Sequence, residues 1–73
     1  MKFRTMWCNG EEMCCFGVTD LETFRDAELV LTAYHKMADF LGMDKNNFTI
    51  EVLDGHFWNE IPPEEYYKYV VEV

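Results

Sequence analysis

The Asn9–Gly10 pair constrains the fold of this chain more than any other feature, because it divides two stretches that both have strand composition. Asn-Gly is a strong short signal for a type I′ turn, in which both central residues need positive φ. The flanking segments 2–8 and 11–18 are therefore predicted to form an antiparallel hairpin.

A two-residue turn would also fix which residues face one another across this hairpin. The expected pairs are Cys8 with Glu11, Trp7 with Glu12, Thr5 with Cys14, and Phe3 with Phe16. Strand alternation then predicts two faces, one with Phe3, Trp7, Cys14 and Phe16, the other with Arg4, Met6, Cys8, Met13 and Cys15. A longer loop through Asn-Gly-Glu-Glu would shift this register, and the sequence leaves that alternative open.

Apolar residues recur at steps of three and four after this hairpin, which is the spacing of an amphipathic helix. The stripe consists of Phe24, Ala27, Leu31, Tyr34, Ala38 and Leu41, widened by Val30 and Met37. Thr19 and Glu22 have the spacing of a capping box, and Thr23 is a later candidate for the start. Gly42 is predicted to end the helix in a left-handed conformation.

A second hairpin is predicted after the helix, with Asp54–Gly55 as its turn and His56 beginning the return strand. Pro62 and Pro63 interrupt that strand and suit the first turn of a helix. The segment 64–73 has strand composition, but its apolar spacing also fits a helix, so both interpretations stay open. The prediction is an α+β fold in one domain, 1–73. It has an antiparallel sheet of about four strands (ββαββ) and one long amphipathic helix packed on one face.

Charge narrows the classes of partner. Six basic and fourteen acidic residues give a net charge of −8, and eight of the acidic residues but only two of the basic ones lie in residues 37–73. Such a field repels nucleic acid and anionic lipid, and it attracts basic protein surfaces. Direct nucleic-acid or membrane binding is therefore not expected. The charge could equally serve only to keep a small aromatic-rich chain in solution.

The expected location is cytoplasmic. No apolar run approaches the roughly 20 residues that a membrane span needs. Residues 1–10 lack the continuous apolar core of a secretion signal. In the cytoplasm thiols stay reduced.

Three cysteines, Cys8, Cys14 and Cys15, leave at least one thiol outside any internal disulfide. They lack the paired spacing of zinc ligands, and we expect them to pack as small buried hydrophobes. A metal or redox module that combines them with His35 or His56 is a weaker alternative.

An enzyme is not expected. Adjacent carboxylates such as Glu11–Glu12 and Glu64–Glu65 occur by chance in so acidic a chain. General acid–base catalysis also needs a pocket that separates their pKa values. A globule of 73 residues rarely encloses such a pocket, and its single glycines form no phosphate-binding loop. No cofactor is expected either.

Aromatic residues among carboxylates near the C-terminus predict a protein-binding surface, because exposed Trp and Tyr are typical interface anchors. The candidate contact residues are Glu51, Asp54, Trp58, Glu60, Glu64, Glu65, Tyr66, Tyr67 and Tyr69. The predicted partner is a basic, nucleic-acid-binding protein, which the chain would inhibit by blocking its nucleic-acid site. Phage-encoded anti-CRISPR proteins and inhibitors of host polymerases or nucleases share this charge and size. The alternative is a homodimer that assembles through its open sheet face or an edge strand.

Overall fold

The computed structural model describes residues 1–9 and 14–70, and it confirms the predicted α+β class and the ββαββ order. The elements are β1 (Phe3–Asn9), β2 (Cys14–Leu21), α1 (Phe24–Leu41), β3 (Phe48–Asp54) and β4 (Phe57–Ile61), with 3-10 helices at Lys45–Asn47 and Pro63–Lys68. The strands form one antiparallel sheet in the order β2-β1-β3-β4. Helix α1 packs against one face, and we call the other the open face.

The first hairpin forms, but the register predicted from a two-residue turn is wrong. Trp7 pairs with Phe16 and Cys8 with Cys15, and the two strands are bounded by Asn9 and Cys14. Gly10 of the predicted Asn9–Gly10 turn lies outside the described residues. The pairing differs from the prediction by four residues, an even number, so the predicted faces are retained. Met13 and the side chain of Cys14 lie outside the described residues.

The Cys8–Cys15 pair is a disulfide across this hairpin, with Cα atoms 4.2 Å apart. Cys15 is exposed and Cys8 is half-buried. The prediction that these cysteines are reduced and buried is therefore wrong. Its error follows from the register, which had placed Glu11 rather than Cys15 beside Cys8.

Strand β2 continues to Leu21, so the capping-box start at Thr19 is wrong. A bulge opposite Phe3 and Thr5 accompanies Asp20, whose φ of 61° is the only positive value at a non-glycine residue in the described chain. The helix instead begins after Thr23, whose hydroxyl oxygen accepts a hydrogen bond from the Asp26 N–H at 3.1 Å. Thr23 was the later of the two predicted starts.

The core lies between α1 and the three strands β1, β3 and β4. Its members are Phe3, Phe24, Ala27, Ile50, Val52 and Ile61. Thr5 is fully buried among them and donates its hydroxyl hydrogen to the carbonyl oxygen of Ala27 at 2.8 Å. This bond ties the central strand to the helix backbone.

The predicted apolar stripe of α1 is too wide at its C-terminal end. Leu41 is 59% exposed and Met37 is 39% exposed, and the neighbouring Phe40 is 89% exposed. These side chains point away from the sheet. Gly42 ends the helix with φ of 71°, as predicted, and the Met43 N–H donates to the Ala38 carbonyl at 2.8 Å.

The second hairpin forms with its turn one residue later than predicted. Asp54 still belongs to β3 and pairs with Phe57, so Gly55 and His56 make the turn. After β4, residues 63–68 form a 3-10 helix that begins at the predicted proline boundary. The strand interpretation is therefore wrong for these residues, and residues 71–73 lie outside the description.

Candidate interaction surface

The nine predicted contact residues fall on three parts of the fold. Glu51, Trp58 and Glu60 belong to the paired strands β3 and β4, and Asp54 precedes the turn between them. The remaining five lie in or directly after the C-terminal 3-10 helix: Glu64, Glu65, Tyr66, Tyr67 and Tyr69. The structure therefore does not gather all nine on one plane.

Two of the predicted contact residues, Tyr66 and Tyr69, pack against the core and are not exposed for binding. The Tyr66 and Tyr69 rings lie 5.3 Å and 5.7 Å from the Phe24 ring, measured between centroids, and Tyr69 also meets Phe3 at 6.0 Å. Both tyrosines are half-buried. The 3-10 helix and the residue after it thus close one end of the helix–sheet interface. Tyr66 and Tyr69 there contribute mainly to the stability of the fold.

Trp58 lies on the open face, where Arg4 covers it. The guanidinium carbon of Arg4 is 4.4 Å from the centroid of the Trp58 ring, within the range of a cation–π contact. Arg4 Nε also donates to a carboxylate oxygen of Glu51, its direct neighbour across β1 and β3. Glu51 and Trp58 are thus engaged within the molecule.

Two aromatic rings remain largely exposed near β4. Phe57 is 76% exposed at the start of the strand, and Tyr67 is 70% exposed in the 3-10 helix. Phe57 was not among the predicted contact residues, although it lies two residues after the Asp54–Gly55 turn signal. Rings exposed to this extent are available to contact another molecule.

The carboxylates divide into compensated and uncompensated groups. Glu51 pairs with Arg4, and Glu65 pairs with Lys68 at 2.6 Å. Across residues 1–9 and 14–70, no ion pair involves Asp54, Glu60 or Glu64, and all three are exposed. We call these three carboxylates, together with Phe57 and Tyr67, the acidic edge.

Two side chains of the C-terminal 3-10 helix have raised pKa values. The pKa of Tyr66 is raised above the ordinary value of 10.0, first by burial and then by the negative charges of Glu60 and Glu28. The pKa of Lys68 is raised as well, because Glu65 accepts its hydrogen bond and carries the opposite charge.

Within residues 1–9 and 14–70, no group of three or more His, Cys, Asp or Glu side chains could hold a metal ion. None of the described helices is both long enough and apolar enough to cross a membrane.

Comparison with protein-family models, with curated proteins and with solved structures found no match.

Proposed function

We propose that this chain is a small acidic protein-binding module that inhibits a basic, nucleic-acid-binding protein. The acidic edge would cover the surface on which that protein binds nucleic acid. The observation that carries the proposal is that Asp54, Glu60 and Glu64 are exposed and form no ion pair within the described chain. Phe57 and Tyr67 in the same part of the fold expose their rings. The proposal contains no catalytic step and no cofactor.

The spacing of these groups suits a charged groove. Asp54, the last residue of β3, pairs with Phe57 at the start of β4, and Glu60 lies three residues further along β4, about 10 Å away at roughly 3.4 Å per residue. Glu64 follows in the first turn of the 3-10 helix. Carboxylates distributed over such a length would meet several Lys or Arg side chains of a partner, as phosphates do.

The aromatic rings supply the second part of the proposed interface. Charged groups at an interface mainly set the association rate and the choice of partner, whereas buried rings contribute most of the affinity. Phe57 and Tyr67 are the exposed rings of the acidic edge. Trp58 would contribute only if Arg4 moved away from its ring.

The proposed context is the cytoplasm of a cell in which such a partner operates. Phage-encoded anti-CRISPR proteins and inhibitors of host polymerases or nucleases are examples of the proposed class. Because the cytosol keeps most thiols reduced, Cys8 and Cys15 would there be held together by the β1–β2 hydrogen bonds alone.

The salt dependence of binding tests this proposal. The chain would be used to capture partners from its own host at low salt, and the dissociation constant of the purified complex would then be measured as salt increases. We expect affinity to fall steeply with salt, and duplex DNA to compete with the chain. A complex that is insensitive to salt, or that binds DNA and the chain together, would refute it.

A matched pair of charge reversals locates the interface. Glu64→Lys lies in the acidic edge, whereas Asp26→Lys reverses an exposed carboxylate in the first turn of α1. Each changes the net charge by two units. We expect several-fold weaker binding for Glu64→Lys and little change for Asp26→Lys. Equal effects would mean that overall charge, and not the acidic edge, determines binding.

A homodimer is the second candidate, and the exposed apolar side of α1 favours it. Phe40 is 89% exposed, Leu41 59% and Leu29 58%, which is unusual for large apolar residues on one helix. Strands β2 and β4 also end the sheet without a further neighbour among the described residues. Light scattering of the wild type and of Phe40→Lys distinguishes a dimer, which the substitution would dissociate, from a monomer.

A further inference from the structure

A cleft of about 580 Å³ opens between α1, the 3-10 helix Lys45–Asn47, the start of β3, the end of β4 and the C-terminal 3-10 helix. Its walls are largely apolar and include Leu31, Phe48, Ile61, Pro62 and Pro63. Clefts of this volume with a few convergent polar groups are typical binding sites. The sequence did not predict it, because its walls come from five separate elements.

One side of the cleft carries negative charge. Glu60 lines it, is exposed, and forms no ion pair within the described chain. Tyr66 also lines the cleft, with a hydroxyl that can accept a hydrogen bond. A cation that enters from solvent would therefore find an unpaired carboxylate and a phenol oxygen.

The basic groups that line the cleft do not cancel this charge. Lys45 is already paired with Asp39, with 2.8 Å between Nζ and the carboxylate oxygen. His35 presents its ring edge to Phe48, with the two centroids 6.0 Å apart. The charge left without a partner in the cleft is thus that of Glu60.

We propose that this cleft binds the side chain of an arginine from the basic partner. The inference rests on the proposed function and names the group that the module recognises. The arginine methylenes would pack on Leu31, Ile61 and Pro62, and its guanidinium would donate to Glu60 and to the Tyr66 oxygen. Arginine fits better than lysine because its planar fork can serve two acceptors and is less strongly hydrated.

The molecule already binds one of its own arginines through a carboxylate and an aromatic residue. Arg4 lies on the Trp58 ring while its Nε donates to Glu51. Glu60 and Tyr66 bring a carboxylate and an aromatic residue to the cleft as well, although there the tyrosine would offer its hydroxyl oxygen and not its ring face. No arginine of the described chain is among the residues that line the cleft.

Nuclear magnetic resonance titration with a blocked Gly-Arg-Gly peptide tests the assignment without any partner. We expect saturable shifts of the Leu31, Ile61 and Tyr66 resonances with a dissociation constant of about 1 mM. The isosteric citrulline peptide, which lacks the positive charge, should bind at least several-fold more weakly. Glu60→Gln should weaken binding of the arginine peptide about tenfold, while Glu22→Gln, a matched control outside both the cleft and the acidic edge, should leave it unchanged.

The possible outcomes separate this inference from the proposed function. Absence of shifts in the cleft, equal binding of the two peptides, or equal effects of the two variants would overturn the arginine site. None of these results would alter the salt dependence of the captured complex. Conversely, peptide binding in the cleft together with a salt-insensitive complex would support the site and remove the proposed inhibition by charge.

Discussion

Arg4 of β1 contacts Trp58 of β4, although β3 lies between these two strands in the sheet. The guanidinium reaches across Glu51, which accepts its hydrogen bond, to the ring on the edge strand. Glu51 also sits directly opposite Glu60, so Arg4 offsets a repulsive pair of like charges. One side chain thus connects three strands on the open face.

Replacing Arg4 with alanine should destabilise the fold. We expect a loss of about 1–2 kcal/mol of unfolding free energy, from the cation–π contact and the charged hydrogen bond. Arg4→Lys should recover only part of it, because an ammonium lacks the planar fork. Urea unfolding followed by circular dichroism measures both. Arg25→Ala, on the exposed surface of α1, is the control and should change stability by less than about 0.5 kcal/mol. Equal losses of unfolding free energy for Arg4→Ala and Arg25→Ala would show that the contacts of Arg4 with Trp58 and Glu51 do not stabilise the fold.

The buried hydroxyl of Thr5 should matter more than an exposed one. Thr5 donates to Ala27 at 2.8 Å in the core, and Thr32 donates to Glu28 at 3.0 Å on the helix surface. Thr5→Val should cost about 1–2 kcal/mol, because it leaves a buried carbonyl with one fewer donor. Thr32→Val should cost under about 0.5 kcal/mol. Thermal and urea unfolding of the two variants give the comparison, and similar costs would show that the Thr5 hydroxyl adds nothing.

Reduction should lower the stability of the hairpin end of the sheet. The Cys8–Cys15 bond closes a loop with a sequence separation of 7, and a loop of that size stabilises by about 2 kcal/mol. The melting temperature should therefore fall when reductant is added. A double variant with serine at both positions should melt low with or without reductant.

The third cysteine provides the control for that experiment. Cys14→Ser leaves the Cys8–Cys15 disulfide intact, so its melting temperature should still depend on reductant. If Cys14→Ser alone abolished the dependence, the disulfide would involve Cys14 and the described pairing would be incorrect.

Tyr66 should make the fold sensitive to alkali. Its pKa is raised in the folded state by burial and by Glu60 and Glu28, so the unfolded state loses this proton first as pH rises. The stability contributed by neutral Tyr66 is complete below about pH 10 and is lost as pH rises through the folded pKa. The unfolding free energy of Tyr66→Phe should fall less between pH 9 and pH 11, both being approximate bounds around the ordinary tyrosine pKa.

The exposed Tyr67 is the matched control for the alkaline experiment. Tyr67→Phe removes a phenol from the same 3-10 helix without touching the core. Its stability should fall with pH as steeply as that of the wild type. If the unfolding free energy of both variants fell less with pH than that of the wild type, the pH dependence would belong to the helix as a whole and not to Tyr66.

The elements of this fold could be predicted where the signal is local in sequence. The helix stripe, its glycine end and the second turn depend on residues within a few positions of one another, and the helix and both pairs of strands form. The register of the first hairpin could not be fixed, because it depends on the length of the connection. The disulfide was missed for the same reason, since Cys8 and Cys15 become neighbours only in the actual register.

The candidate surface could be predicted only in part from the sequence. Alternation correctly placed Arg4 on the open face, but its partner Glu51 is 47 residues away and meets it only through the β1–β3 pairing. The burial of Tyr66 and Tyr69 depends on the direction that the chain takes after Pro62. Composition therefore identified the acidic, aromatic region, whereas the uncompensated carboxylates emerge only from the three-dimensional pairing.

The central position of β1 has a consequence for synthesis of the chain. Strand β1 needs partners on both sides, and its second partner, β3, follows only after α1 and ends at Asp54. Until β3 has been synthesised, β1 has one row of backbone donors and acceptors unsatisfied, which favours intermolecular association. A fragment of these residues that ends at Gly42 should accordingly aggregate, whereas residues 1–73 complete both ladders of β1.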